Sequence, residues 1–392
     1  MVPERFANLP AYAFPRLRAF LDVHSPGGPV RHMTIGEPQH PFPDFVAPIL
    51  AREAAGFGKY PPNEGTPELR QAITAWLARR YGVTLDPDRQ VIALNGTREG
   101  LYNACMALVP ERKNGARPVV AMPNPFYQVY MIGAISVGAE PLFVPATEAT
   151  GHLPDYAALP PAVLDRLAAV YVCSPANPQG TVAGHDYWRA LIALAERHDF
   201  RIFADECYSE IYRDTPPPGA LEVSAAMGAD PERVTVFHSL SKRSNLPGLR
   251  SGFAAGGPDT IARLTQLRAY AGAPLPLPLQ HVATAAWNDE AHVIRNRALY
   301  GEKYRAADRI FAETAGYRPP EAGFFLWLPV EDGEAAALKL WRETGVRVLP
   351  GAYLSHDTGA DTPGKRHIRV AMVAPLDDMQ QGLTALRDCI YR

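Results

Sequence analysis

Lys242 follows directly on an apolar run, in the segment Ser239-Leu240-Ser241-Lys242, with Gly248, Arg250 and Gly252 close behind. An amine at the end of a buried strand loses part of its hydration. That depresses its pKa and makes it usable as a nucleophile or proton carrier. The chain has six lysines against 33 arginines, so a lysine in this place stands out from its background. The hydroxyls of Ser239 and Ser241 and the guanidinium of Arg250 are donors suited to a phosphate dianion. Gly96-Thr97-Arg98 adds to them, because a helix beginning there turns free N–H groups toward a ligand. In Ile202-Phe203-Ala204-Asp205 an acid closes an apolar run. A carboxylate there wants a cationic partner, and a protonated pyridine nitrogen qualifies. Asn177 contributes a neutral hydrogen-bonding side chain and Tyr127 an aromatic face. Amine, phosphate donors, acid and stacking ring together describe a site for pyridoxal phosphate.

Each of these residues taken singly has a plainer reading. Asp205 can cap the segment after it, and Asn177 can be a turn residue before Pro178. Tyr127 and Tyr208 can be core aromatics, and Gly96-Thr97 simply a helix start. Their order along the chain decides between the readings. Short apolar runs at 90–94, 118–122, 140–144, 168–173, 200–204 and 234–239 end in small or polar clusters, and several are separated by helix-length segments such as 186–198. Strands alternating with helices imply βαβ units and a mostly parallel sheet covered on both faces. Ligands of such sheets sit beyond the carboxyl ends of the strands, so these clusters line one shared site. Residues 66–81 read as a helix with a Thr66 cap, Pro67 in the first turn and Gly82 as terminator.

The Pro- and Gly-rich residues 1–45 read as an extended arm leaning on a smaller domain. Residues 46–285 form the large α/β domain. The proline-laden stretch Pro274–Pro278 marks the approach to a smaller α+β domain over 286–392, which holds a long helix at 289–314, apolar runs at 323–329, 346–349 and 367–373, and a last helix from Pro375. Hydrophobic residues make up 47% of the 392 and charged residues 20%, the balance of a globular protein with a sizeable core. A net charge of −2 gives no basic field to recruit nucleic acid or an anionic membrane. The N-terminus lacks the apolar run of a signal peptide, and no stretch approaches the ~18 apolar residues of a membrane span. Four scattered cysteines without C-x-x-C argue against a disulfide scaffold or a metal site and for a reducing cytoplasm.

The segments SPANPQG (174–180), ADECY (204–208), SLSK (239–242) with Arg250 eight residues on, and HIRVA (367–371) resemble the class I/II, fold-type I pyridoxal-phosphate aminotransferases. The resemblance runs from about Gly36 to the end. It implies a three-layer large domain and a smaller C-terminal one. It makes Lys242 the Schiff-base lysine and pairs Asp205 with the pyridine nitrogen. Tyr208 and Asn177 then bond the 3′-oxygen, Tyr127 stacks on the ring, and Cys207 lies against its other face. Gly96, Thr97, Arg98, Ser239, Ser241 and Arg250 form the phosphate cradle. Tyr60, in KYPPNEG, reaches the phosphate of a partner subunit, which implies a homodimer with shared sites. Arg369 clamps the substrate α-carboxylate, assisted by Gly36 and Asn177.

Within that family, ALNGTREG (93–100), SLSKRSNLPGLRSGF (239–253) and AAWNDEAHV (285–293) look most like the succinyldiaminopimelate aminotransferases of lysine synthesis. These exchange an amino group between glutamate and N-succinyl-2-amino-6-oxoheptanedioate. Aspartate aminotransferases commonly place a partner-subunit arginine in the loop before the small domain. Here the loop 269–280 has no basic residue, which suits a longer substrate. Aspartate, alanine and aromatic substrates remain the alternatives within the family. Two rivals lie outside it. Ser239-x-x-Lys242 also fits serine acyl-transferases, but their S-D-N and K-T-G elements do not occur. A non-catalytic regulator that binds the cofactor needs a DNA-binding module, and no basic helix-turn-helix precedes Gly36.

Overall fold

The computed structural model describes every residue except 1, 2, 8, 360 and 361. After a two-residue strand β1 (Arg31–His32) come β2 (Val91–Leu94), β3 (Val119–Asn124), β4 (Glu140–Pro145), β5 (Leu167–Cys173), β6 (Arg201–Asp205), β7 (Val234–Ser239) and β8 (Gly252–Ala255). The last seven form one sheet in the order β2-β8-β7-β6-β5-β3-β4. β8 runs antiparallel to both neighbours, and every other pairing is parallel. Most of these strands are apolar at successive positions because both faces are covered.

Alternation along each strand sends its residues to two separate cores. Ile202 and Ala204 join Trp76, Trp188, Leu221 and Val282 from the helices Pro67–Tyr81, His185–His198, Ala220–Met227 and Leu277–Asn288. Phe203 joins Leu101, Tyr130 and Leu264 from the helices Thr97–Leu108, Gln128–Ser136 and Pro258–Ala271 on the opposite face. These are the three layers that the resemblance implied. The helix Pro67–Tyr81 has the expected ends. The Thr66 hydroxyl accepts from the Leu69 N–H at 3.3 Å, and Gly82 closes the helix in the left-handed region at φ +67°.

The C-terminal part contributes β9 (Phe325–Pro329), β10 (Val346–Arg347), β11 (Leu349–Pro350) and β12 (His367–Ala371). β11, β12 and β9 make an antiparallel sheet, while β10 pairs in parallel with β1 near the N-terminus. The helices Ala291–Phe311 and Leu376–Ile390 cover this sheet through Tyr300, Tyr304, Phe311 and Leu383.

Two expectations need correction. The segment read as an extended arm contains the helix Ala13–Leu21, whose Ala13, Leu17 and Leu21 pack on Trp341, Leu349 and Tyr353. Pro15 does not prevent it, because a first-turn residue has no intrahelical N–H bond to lose. The loop expected at 269–280 is also shorter. One helix continues to Ala271 and the next begins at Leu277, and none of residues 269–280 lines the main cavity of its own chain.

Candidate active site

Strand alternation that puts Phe203 on one face of the sheet puts Asp205 there too. On that face the helix Gln128–Ser136 lays Tyr130, which donates its phenolic proton to Asp205 Oδ2 at 2.7 Å. The Cys207 N–H donates to Oδ1 at 3.3 Å. Burial pushes the Asp205 carboxyl up from its ordinary pKa, while hydrogen bonds from Cys207 and Tyr130 pull it back. Among the described residues no cationic side chain bonds it.

β7 delivers Ser239, whose hydroxyl caps the next turn by accepting from the Ser241 N–H at 3.1 Å and lies 2.9 Å from Ser241 Oγ. Lys242 follows. Its Nζ donates to the Gly36 carbonyl, and burial pulls the amine down to about 8. Arg250 donates to the carbonyls of Pro247 at 2.9 Å and Asn95 at 3.4 Å. Gly96 is needed beside it, since an added Cβ would stand 2.3 Å from Arg250 Nη2. Thr97 Oγ1 lies 3.0 Å from the Cys207 sulfur, and burial pushes that thiol well up, so it stays protonated. Arg98 donates from Nε to Tyr127 Oη at 2.8 Å.

Arg369 comes from β12. It donates to Asn177 Oδ1 at 3.0 Å and to the Thr34 carbonyl at 2.6 Å, and its plane lies 4.2 Å over the Phe325 ring. Asn177 in turn donates to Tyr208 Oη at 3.3 Å. Burial pulls the Arg369 guanidinium to about 10, so it is still charged at neutral pH. Its Nε has no partner among the described residues.

These side chains surround one cavity of about 680 Å³. Of the residues singled out from the sequence, Gly36, Thr97, Arg98, Tyr127, Asn177 and Asp205 line it. So do Cys207, Tyr208, Ser239, Ser241, Lys242, Arg250 and Arg369. Gly96 stands behind Arg250 instead, and Tyr60 is fully exposed, away from its own chain's cavity. Sequence reasoning missed Tyr130, Cys173, Glu37, Phe14 and Arg18, which also line it. The one available signal was Tyr130, a helical turn beyond Tyr127.

The donor set fits pyridoxal phosphate. The cavity holds a buried carboxylate with no cationic side chain bonded to it among the described residues, an amine that burial pulls down to about 8, and two serines and an arginine grouped where a Cβ on Gly96 would intrude. Fold and site together define a pyridoxal-phosphate-dependent transaminase acting on amino and keto acids. The chain belongs to the family of class I and II aminotransferases, whose model matches residues 31–386. It is 32% identical to the LL-diaminopimelate aminotransferase of Desulforudis audaxviator, covering 99% of this chain and 98% of that one. An aminotransferase structure from Neisseria meningitidis superimposes with a TM-score of 0.93 at 36% identity, covering 99% of each chain. A probable N-succinyldiaminopimelate aminotransferase of Thermus thermophilus matches with a TM-score of 0.82 at 25% identity, over 96% of this chain and 98% of that one. No helix among the described residues is long and apolar enough to cross a membrane.

Proposed function

We propose that the chain exchanges an amino group between glutamate and N-succinyl-2-amino-6-oxoheptanedioate in lysine synthesis through diaminopimelate. The observation that carries the chemistry is the joint exposure of Lys242, Asp205 and Arg369 to one cavity. The substrate class is supported by the relatives named for diaminopimelate and its succinyl derivative and by the three sequence stretches noted above. Free LL-diaminopimelate is the second reading, favoured by the name of the Desulforudis relative.

In this reading Arg369 takes the α-carboxylate of each substrate through its planar guanidinium, with Asn177 and the Gly36 backbone alongside. Ser239, Ser241, Thr97, Arg98, Gly96 and Arg250 hold the phosphate. Tyr127 and Cys207 would lie against the ring, Tyr208 and Asn177 would bond its 3′-oxygen, and Asp205 would keep the ring nitrogen protonated. Pyridoxal phosphate supplies, when bound, an electron sink for the pair left as the substrate Cα loses its proton. Lys242 would hold the cofactor between turnovers, and its amine would take the proton from the substrate Cα and return it in the other half of the exchange. A depressed amine pKa suits that work, because the neutral form is populated near pH 8.

The same proposal includes a homodimer in which Tyr60 reaches the partner's phosphate site, a cytoplasmic location, and division of the chain at 45/46 and 285/286. Pairing of β1 with β10 supports grouping the N-terminal segment with the smaller domain, and the exposure of Tyr60 leaves it available to a partner. The test is a transamination screen with glutamate as donor. N-succinyl-2-amino-6-oxoheptanedioate should be the preferred acceptor. A hundredfold preference for oxaloacetate or pyruvate would end the lysine-pathway assignment, and activity on LL-diaminopimelate alone would select the second reading.

A further inference from the structure

One arginine in the cavity has no structural employment. Lys242, Arg98, Arg250 and Arg369 each donate to a named acceptor. Arg18 also lines the cavity, yet among the described residues its side chain has neither a hydrogen-bond acceptor nor a carboxylate partner. Its helix, Ala13–Leu21, explains how it is held there. Ala13, Leu17 and Leu21 bury one face against Trp341, Leu349 and Tyr353. Arg16 pins the same side, donating to Glu334 at 3.0 Å and lying 3.8 Å from the Tyr353 ring centroid. Asp22 pairs with Arg347 at the helix end. Phe14, Pro15 and Arg18 fall at i, i+1 and i+4, on the side that the cavity meets.

A helix fixed on one side thus brings to the cavity a guanidinium without a partner among the described residues, while Arg98, Arg250 and Arg369 each donate to a named acceptor. The cavity's acids are Asp205, bonded to Tyr130, and Glu37, and neither forms an ion pair with Arg18. A cation exposed to solvent contributes little until a ligand brings it a carboxylate in fixed geometry.

We propose that Arg18 binds the distal carboxylate of a seven-carbon dicarboxylic substrate whose α-carboxylate is held by Arg369, both arginines lining the same cavity. This rests on the diaminopimelate-class reading above and names the residue that would give it substrate length selectivity. Arg18 is exposed and its side chain forms no hydrogen bond or ion pair among the described residues, so its variants should keep the fold.

The probe is pimelate, a non-reacting seven-carbon dicarboxylate, compared with heptanoate, which lacks the second carboxylate. Both are titrated calorimetrically into the cofactor-loaded enzyme. The wild type should bind pimelate at least tenfold more tightly than heptanoate. Arg18→Gln should raise the Kd for pimelate about tenfold and leave that for heptanoate within twofold, with Arg18→Lys in between. Equal affinity for the two probes in the wild type, or an unchanged pimelate Kd in Arg18→Gln, overturns the role of Arg18. If the pimelate dependence holds but the screen finds no transfer to either diaminopimelate-class substrate, the substrate reading falls and the dicarboxylate site stands.

Discussion

Tyr130 donates its phenolic proton to the carboxylate of Asp205 across 2.7 Å, and both residues are buried. The bond, with those from Cys207, opposes the upward push that burial gives this carboxyl and so favours its charged form. Tyr130 is therefore a positioning residue, acting through Asp205. Tyr130→Phe should cost about 1.5–3 kcal/mol, the range for a hydrogen bond to a charged group. The loss should appear as weaker retention of pyridoxal phosphate on dilution, measured by protein fluorescence, together with slower turnover. Unchanged retention would make the bond merely structural.

Asp205→Asn keeps the shape of the side chain and removes its charge. In the proposed reading the ring nitrogen then loses the partner that would keep it protonated, and electrostatic terms of this kind are worth about 10²–10³ in rate. The variant should bind the cofactor and turn over that much more slowly in steady-state assays. Near-normal turnover would reduce Asp205 to a capping residue.

Lys242 sets a pH dependence that can be read without turnover. Burial pulls its amine to about 8, and only the neutral amine attacks a carbonyl. The neutral fraction grows as pH rises and levels off above the pKa. The rate at which cofactor-free protein captures pyridoxal phosphate should therefore climb with pH and flatten just above 8. A climb continuing to pH 10 would mean that the amine is solvated.

The strand ends were legible because each apolar run stops at a residue whose chemistry differs from it, as at Asp205 and Ser239. Prolines misled in two places for one reason. Pro15 lies in the first turn of Ala13–Leu21, and Pro278 in that of Leu277–Asn288, where a missing N–H costs nothing. β8 (Gly252–Ala255) has the sequence GFAA, too short and too poor in β-branched residues to announce a strand. Tyr130 and Arg18 acquire their meaning only from partners far along the chain, Asp205 in one case and the cavity in the other. Local pattern carries no such information.

Lys303 gives a prediction about stability. It is 1% exposed, and among the described residues its Nζ donates only to the Val373 carbonyl. Burial pulls this amine from its ordinary 10.5 to about 7. Between those values the unfolded chain binds a proton that the folded chain does not, so this group raises stability with pH from about 7 to 10.5. Below pH 7 the folded chain must keep the charge buried. Lys303→Met should therefore raise the melting temperature most at pH 6, with the advantage shrinking toward pH 10. A difference independent of pH would show that the Lys303 ammonium reaches water.

Arg369 tests the shared clamp. A guanidinium bonds a carboxylate through two parallel hydrogen bonds, which an ammonium cannot reproduce. Arg369 is also held in plane by Asn177, the Thr34 carbonyl and the Phe325 ring, so lysine loses both the fork and its support. In the proposed exchange both half-reactions present an α-carboxylate to Arg369. Arg369→Lys should therefore lower kcat/KM for glutamate and for the diaminopimelate-class acceptor together, by about 1.5–3 kcal/mol, or roughly 10- to 150-fold. Arg18→Gln should behave differently, acting on the longer substrate more than on glutamate. Measuring kcat/KM for both substrates in both variants separates the two ends of the site. If Arg369→Lys spared one substrate, the two α-carboxylates would bind in different places and the common clamp would have to be abandoned.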